Sequence, residues 1–175
     1  MTLQRVCLKP HDPRWATEFE RESSLVQDAL GDVLSEIHHI GSTAIPGIQA
    51  KPVIDMLAVV HDPADLDKRS GALVALGYEA MGEFGIPGRR YFRKNDHAGE
   101  RTHQIHAFQS GSPQISRHIA FRDFLRAHPA KAQEYEALKI RLAALYPNDI
   151  SSYAGGKDEF IHETDKLAAA WRLRQ

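Results

Sequence analysis

Hydrophobic and polar positions along the 175-residue chain follow two regimes, a mixed one up to about residue 112 and a purely helical one beyond it. Trp15, Phe19 and Leu25 or Val26 share one side of a helix running from Asp12 or Pro13 to about Leu30, with Asp12 as N-cap and Gly31 as terminator. An opening "LQRVCLKP" reads as strand-like, and "VLSEIHHI" reads as a strand leading into a Gly-Ser turn. "PVIDMLAVV" is apolar on both faces, as a central strand covered on both sides must be. "DPADLDKRSGALVALGY" follows as a helix capped by Asp62 and stopped at Gly77.

The stretch from Tyr78 to Asn95 is short and Gly-rich, with "RRYFRKN" as a strand; "RTHQIHAFQ" is another, closed by the turn residues "SGSPQ". Three helices then follow: "ISRHIAFRDFLRAHP" ended by Pro129, "PAKAQEYEALKIRLAALYP" ended by Pro147, and "DEFIHETDKLAAAWRLRQ". Strands mixed with helices and then helices alone predict an α/β (α+β) fold: a small mixed sheet flanked by helices, with a helical subdomain on one side. A single domain over 1–175 is expected, with a sheet-containing core over 1–112 and a helical part over 113–175.

Composition narrows the class without naming a function. With 42% hydrophobic and 26% charged residues the chain is globular, and a net charge of -1 gives no global pull toward nucleic acid or an anionic membrane. The single cysteine, Cys7, allows no internal disulfide and no CxxC metal knuckle. No apolar run approaches a membrane span and the first residues lack a signal-peptide core, so the expected location is cytoplasmic.

One charge is out of place. Asp55 stands inside "PVIDMLAVV", and an ionised carboxylate buried without a partner costs several kcal/mol. It must find a lysine or arginine, cap a turn, or hold a metal facing a bound phosphate. The Gly41-Ser42 turn lies twelve residues ahead of it, and amides in such a turn can converge on an anion.

"HIGSTAIPGIQAKPVIDMLAVV" resembles the hallmark stretch of the GrpB-like (UPF0157-type) family of bacterial proteins, and the similarity continues through "RTHQIHAF", "FRDFLRAHP", "YEALKIRLAALYP" and "SYAGGKDEFI". It spans nearly the whole chain in order. The resemblance implies a nucleotidyltransferase-like sheet, in which the Gly-Ser turn holds a triphosphate and the next strand carries two acids for magnesium. Gly41, Ser42 and Asp55 match that pattern; Leu57 stands where the second acid belongs. Two-ion phosphoryl transfer needs both ions clamped by carboxylates, so Leu57 sets the expected chemistry apart. In some lineages the family's domain is fused to dephospho-CoA kinase, which implies a link to coenzyme A metabolism.

The strand "RTHQIHAF" offers His103, Gln104 and His106 where the superfamily has a third acid, and Gln104 departs from a family stretch resembling Thr-His-His-Leu-His. Strand parity separates His103 from His106 and places Gln104 with His106. His106, Asp55 and His39 form the candidate metal or acid-base set, with His38 pointing away. The expected cofactor is a divalent metal, magnesium, manganese or zinc; imidazole with one carboxylate favours zinc, manganese or iron over magnesium, which prefers oxygen ligands. Ordinary satisfied strand histidines remain the competing reading.

Phosphate also needs cations. Lys51, just ahead of the Asp55 strand, is a phosphate-binding candidate, and the resemblance, which recurs in "YEALK" and "YAGGKDEF", implies Lys139 and Lys157 as two more; Thr43, Arg93, Arg101 and Arg122 are further pocket candidates, with Asp123 expected in a structural ion pair. Of Arg90 and Arg93 only one can line the pocket. The expected function is binding of a nucleotide or other phosphorylated small molecule, with nucleotidyl transfer through an atypical metal site. The alternatives are a catalytically silent relative that senses a ligand or docks a partner, and a zinc-dependent hydrolase.

Overall fold

The computed structural model describes residues 5–175. Five strands form one mixed sheet: β1 (Leu34–Ile40), β2 (Ile54–Val60), β3 (Tyr78–Ala80), β4 (Arg90–Asn95) and β5 (Arg101–Gln109), in spatial order β1-β2-β5-β4-β3. All neighbours are antiparallel except β2 and β5. Six helices surround it: α1 (Arg14–Leu30), α2 (Pro63–Ala75), α3 (Pro113–Ala127), α4 (Pro129–Leu145), α5 (Ile150–Gly155) and α6 (Asp158–Arg172). The expected mixed sheet with helices and a run of helices after it is what the chain forms.

Strand alternation divides the core between the two faces. Ile54, Met56, Ala58 and Val60 of β2 pack with Ile105 and Ala107 of β5 against Trp15, Val26 and Leu30 of α1 and Leu66 and Leu73 of α2. On the other face Leu57, Ile40 and Phe108 pack against Ile115 and Ile119 of α3. A separate cluster joins Ile45 and Ile48, in the loop after the Gly-Ser turn, to Phe124, Tyr135 and Ala168 of the C-terminal helices. That loop is therefore clamped between sheet and helices, which fixes the turn.

Local signals account for most boundaries. Asp62 caps α2 by accepting from the Ala64 amide, and Ser112 caps α3 through the Gln114 amide. Asp12 works one step outside its expected place, since α1 begins at Arg14 and Asp12 Oδ1 accepts from the Arg14 amide at 2.9 Å. The expected opening strand is absent over residues 5–8, where the Val6 amide instead bonds Pro147 O at 2.8 Å; Leu3 and Gln4 lie outside the described residues. β3 and α5 are three and six residues long, too short for a periodic signal to announce them.

Candidate functional site

The Gly-Ser corner lies directly over Asp55. Gly41 adopts φ 76° and ψ -176°, a region closed to residues with a side chain. A Cβ placed there would fall 2.6 Å from Asp55 Oδ2, so the glycine is demanded by both conformation and approach. The turn's hydrogen bonds run from the Ala44 amide to Gly41 O and from the Ile45 amide to Ser42 O, so it makes no use of the Ser42 and Thr43 amides. Gly41→Ala is expected to cost about 1–3 kcal/mol of backbone strain before any clash. Thermal unfolding should show a drop of roughly 2–4 °C for each kcal/mol.

Register explains what surrounds the carboxylate. Parallel pairing sets Asp55 beside Gln104 and Leu57 beside His106, and antiparallel pairing sets Tyr91 beside His106 and Arg93 beside Gln104. All six side chains share one face. With its NH2 toward Asp55, the Gln104 amide donates to Oδ1 at 2.8 Å, while its oxygen accepts from Tyr91 OH and Arg101 Nη1, both at 3.3 Å. His106 Nε2 also meets Asp55 Oδ1, at 3.2 Å.

His106 is held from behind by a residue that pattern reading did not single out. Arg89, 7% exposed, donates from Nη2 to Phe84 O at 2.8 Å and from Nη1 to His106 Nδ1 at 3.3 Å. A guanidinium can only donate, so Nδ1 accepts and Nε2 carries the proton given to Asp55. Both ring nitrogens are thereby engaged, and in this arrangement neither is open to a metal. His106 orients Asp55.

Three lysines converge on the same space. Lys51, Lys139 and Lys157 line, with Gly41, Ser42, Thr43, Asp55, Gln104, Tyr135 and Tyr153, a cavity of about 310 Å³. Lys139, 1% exposed, donates to Gln49 O and lies 4.9 Å from the Tyr135 ring centroid. Burial, aided by the Lys157 charge, pushes its ammonium from 10.5 down to about 7. Burial also lowers Lys51 and Lys157, and the two further repel each other at Lys51. Tyr135 is pushed up to about 12 by burial against a hydrogen bond with Ser42. Fully protonated, the three lysines outnumber the one carboxylate, Asp55, in the lining. Such a cavity is short of negative charge.

A second cleft of about 440 Å³ adjoins it through Lys51, Val53, Gln104 and Ile150, and is walled by Phe84, Tyr91, Arg93 and Arg101. Phe84 is 55% exposed and holds φ 48°, left-handed backbone unusual for an aromatic residue, while its ring stacks on Tyr91 at 5.3 Å. Arg93 lines this cleft and bonds Glu79 at 2.7 Å, whereas Arg90 pairs with Asp67 elsewhere.

Several expected neighbours are not brought to Asp55. Register pairs Ile40 with Asp55 and His39 with Met56, which puts His38, not His39, on the Asp55 face. His39 instead stacks on Phe19 of α1 at 4.9 Å, and its Nε2 bonds Thr43 Oγ1 at 2.9 Å; burial lowers it to about 4. Thr43 passes its own proton to Val53 O at 3.1 Å, so its hydroxyl secures the turn to β2. Arg122 is a structural brace, giving Nη1 to His39 O at 3.0 Å and Nε to Asp123 at 2.8 Å. His103 faces α1.

The donor set limits the metal chemistry. Asp55 supplies one carboxylate, Leu57 is fully buried among Ile40 and Phe108, and His106 is engaged at both nitrogens. A two-ion clamp does not fit these residues. A single hard cation shared between Asp55 and a ligand's own oxygens does.

Residues 5–166 match the family described as GrpB protein. The chain belongs to the GrpB family. It is 43% identical over 93% of its length to the UPF0157 protein YqkA of Bacillus subtilis, and spans about half (47%) of that relative. The crystal structure of the conserved protein GrpB from Enterococcus faecalis superimposes with a TM-score of 0.90 at 38% identity, covering 95% of this chain and 99% of that one. A protein named dephospho-CoA kinase in Mycolicibacterium paratuberculosis is 27% identical over 95% of this chain and 46% of its own. Overlap with the Cid1 poly(U) polymerase is partial, at a TM-score of 0.47 and 14% identity over 85% of this chain and 49% of that one, and no chemistry follows from it. Among the described residues no helix is long and apolar enough to cross a membrane.

Proposed function

We propose that this GrpB-family chain binds the phosphate groups of a nucleotide or another phosphorylated small molecule in the cavity beneath Gly41 and Ser42. The single observation that carries this reading is the convergence of Lys51, Lys139 and Lys157 on a cavity with one carboxylate. Crowding three ammonium groups, one buried and two half-buried, is unfavourable both by desolvation and by mutual repulsion, and a phosphate relieves both. Ser42 and the turn amides donate to the anion, Asp55 is the residue that would hold a magnesium or manganese ion to offset phosphate charge, and the remainder of the ligand lies along Phe84 and Tyr91.

Binding without transfer is favoured over nucleotidyl transfer because Leu57 removes the second ion's ligand. In this reading Asp55, held by Gln104 and His106, selects a ligand carrying a bound cation. The dephospho-CoA kinase relative makes coenzyme A precursors sensible probes beside ATP.

The test is calorimetry and thermal shift with inorganic pyrophosphate, ATP, dephospho-CoA and adenosine, each with and without magnesium. Phosphorylated compounds should raise Tm, because a ligand bound only by the folded state stabilises it, and adenosine should not. Asp55→Asn should remove the magnesium dependence, and Lys51→Met with Lys157→Met should remove phosphate binding. Equal binding of adenosine and ATP, or no response to any phosphorylated compound, overturns the proposal.

A further inference from the structure

On the opposite face of the sheet from Asp55 lies a second polar cluster that the phosphate cavity does not use. Glu18 and Glu22 are four apart on α1 and so share its inner face, directed at His103 of β5. One donor atom from each residue lies within 4.8 Å of the others. Glu22 is 1% exposed and His103 6%, and a carboxylate so deeply buried must be paired.

Thr102 Oγ1 lies 3.2 Å from Lys94 O and 2.9 Å from His103 Nδ1; with its hydroxyl proton on Lys94 O, it accepts from Nδ1–H. In the neutral ring Nε2 is then bare. It faces Glu18 Oε1 at 3.1 Å and Glu22 Oε2 at 4.0 Å. A bare nitrogen among carboxylate oxygens needs either a proton or a cation.

A proton bridges His103 only to Glu18. It leaves Glu22 Oε2 buried and without a hydrogen-bond partner, as it stands in the structure. The other oxygen of Glu22 is already held by Tyr78 OH and Lys94 Nζ, each at 2.8 Å, which turns Oε2 toward His103 as outer partners of a metal ligand do. Thr102 on Nδ1 is the matching partner for the imidazole.

We propose that Glu18, Glu22 and His103 bind one divalent transition-metal ion of the zinc class, tying α1 to β5. Two ligands about 2.1 Å from a tetrahedral ion sit roughly 3.4 Å apart, so the spacings to Nε2 require shifts of about half an ångström. One imidazole with two carboxylates favours zinc, manganese or iron over magnesium. Glu18 Oε1 is shared with Arg21 Nη2 at 2.6 Å, and Arg21, two-thirds exposed, is released to solvent when the ion enters. Water completes the coordination. The ion is positioned to reach the Gly-Ser corner through α1, since Phe19 stacks on His39 and His39 bonds Thr43.

Protein stripped with a chelator and titrated with zinc, manganese and magnesium chlorides provides the test. One zinc per chain is expected, with a rise in Tm and a cobalt-substituted form showing visible d–d bands of low-coordinate geometry. Glu22→Gln and His103→Gln should each weaken zinc at least 100-fold, and Glu18→Gln, at the partly exposed edge of the cluster, about 10-fold with folding intact. Asp55→Asn should leave zinc binding unchanged, and Glu22→Gln should leave pyrophosphate binding in place, so the two sites fail separately. Zinc binding that survives all three variants, or a Tm indifferent to zinc, overturns the proposal and leaves a proton-bridged ion cluster.

Discussion

Lys139→Met is expected to yield a protein that is more stable below pH 7 and unable to hold phosphate. The unfolded chain keeps the Lys139 proton up to about 10.5 and the folded chain only up to about 7. Between those values the unfolded state binds the extra proton, so raising the pH favours folding; below about 7 both states are protonated and the burial penalty is fully present. That penalty is on the order of 5 kcal/mol, against about 1–3 kcal/mol for leaving Gln49 O without its donor. Methionine keeps the volume and removes the charge. Melting curves at pH 6 and pH 9 should show the parent gaining stability with pH and the variant losing much of that slope.

The same substitution should lower pyrophosphate affinity at least 100-fold. Phosphate holds Lys139 in its charged form, so binding at pH 8 takes up a proton and weakens as pH rises above 7; calorimetry in buffers of different ionisation enthalpy reads that uptake. Unchanged affinity in Lys139→Met would place the anion elsewhere. A buried cation that costs stability in the empty fold and is relieved by an anionic ligand is the usual signature of a binding site.

Much of this cavity was legible along the chain because strand parity is local. The alternation that sets Asp55 and Leu57 on one face of β2, and Gln104 with His106 on one face of β5, needs no knowledge of neighbours. His39 was misplaced because parity between strands depends on register, and register pairs Ile40, not His39, with Asp55. Arg89 gave no signal at all: it follows three glycines in a loop, and its role depends on Glu83 O and Phe84 O curling back to receive it. Tyr135 and Tyr153 carry no site signal along the chain; only the packing of α4 and α5 over the Gly-Ser turn makes them walls of the cavity. Glu18 and Glu22 carry no signal along the chain, because only the fold brings His103, some eighty residues later, beneath them. Lys139 and Lys157 were marked by family resemblance alone, since nothing in a helical lysine's neighbours announces burial.

Leu57→Asp is the second change with a large expected effect, and its direction separates a decayed two-ion site from a core that has been rebuilt. Had the position merely lost its acid, the side chain would still face the cavity, and aspartate would restore tight magnesium binding. Leu57 is instead 0% exposed and packed against Ile40, Phe108, Ile115 and Ile119. Its register partner His106 is turned to Asp55 and Arg89, which leaves no donor for a new carboxylate. An aspartate there loses the leucine's packing, about 2–5 kcal/mol, and adds the burial of an unpaired charge. The variant should unfold at far lower temperature, bind magnesium no better than the parent, and recover partly as the pH falls toward about 4, because burial raises the folded carboxyl above its unfolded value and protonation removes the charge that opposes folding. Leu57→Met should be nearly neutral. Tight magnesium binding by a stable Leu57→Asp protein would instead mean that the helices over this face open readily, and that the second ion's place is still built into the fold.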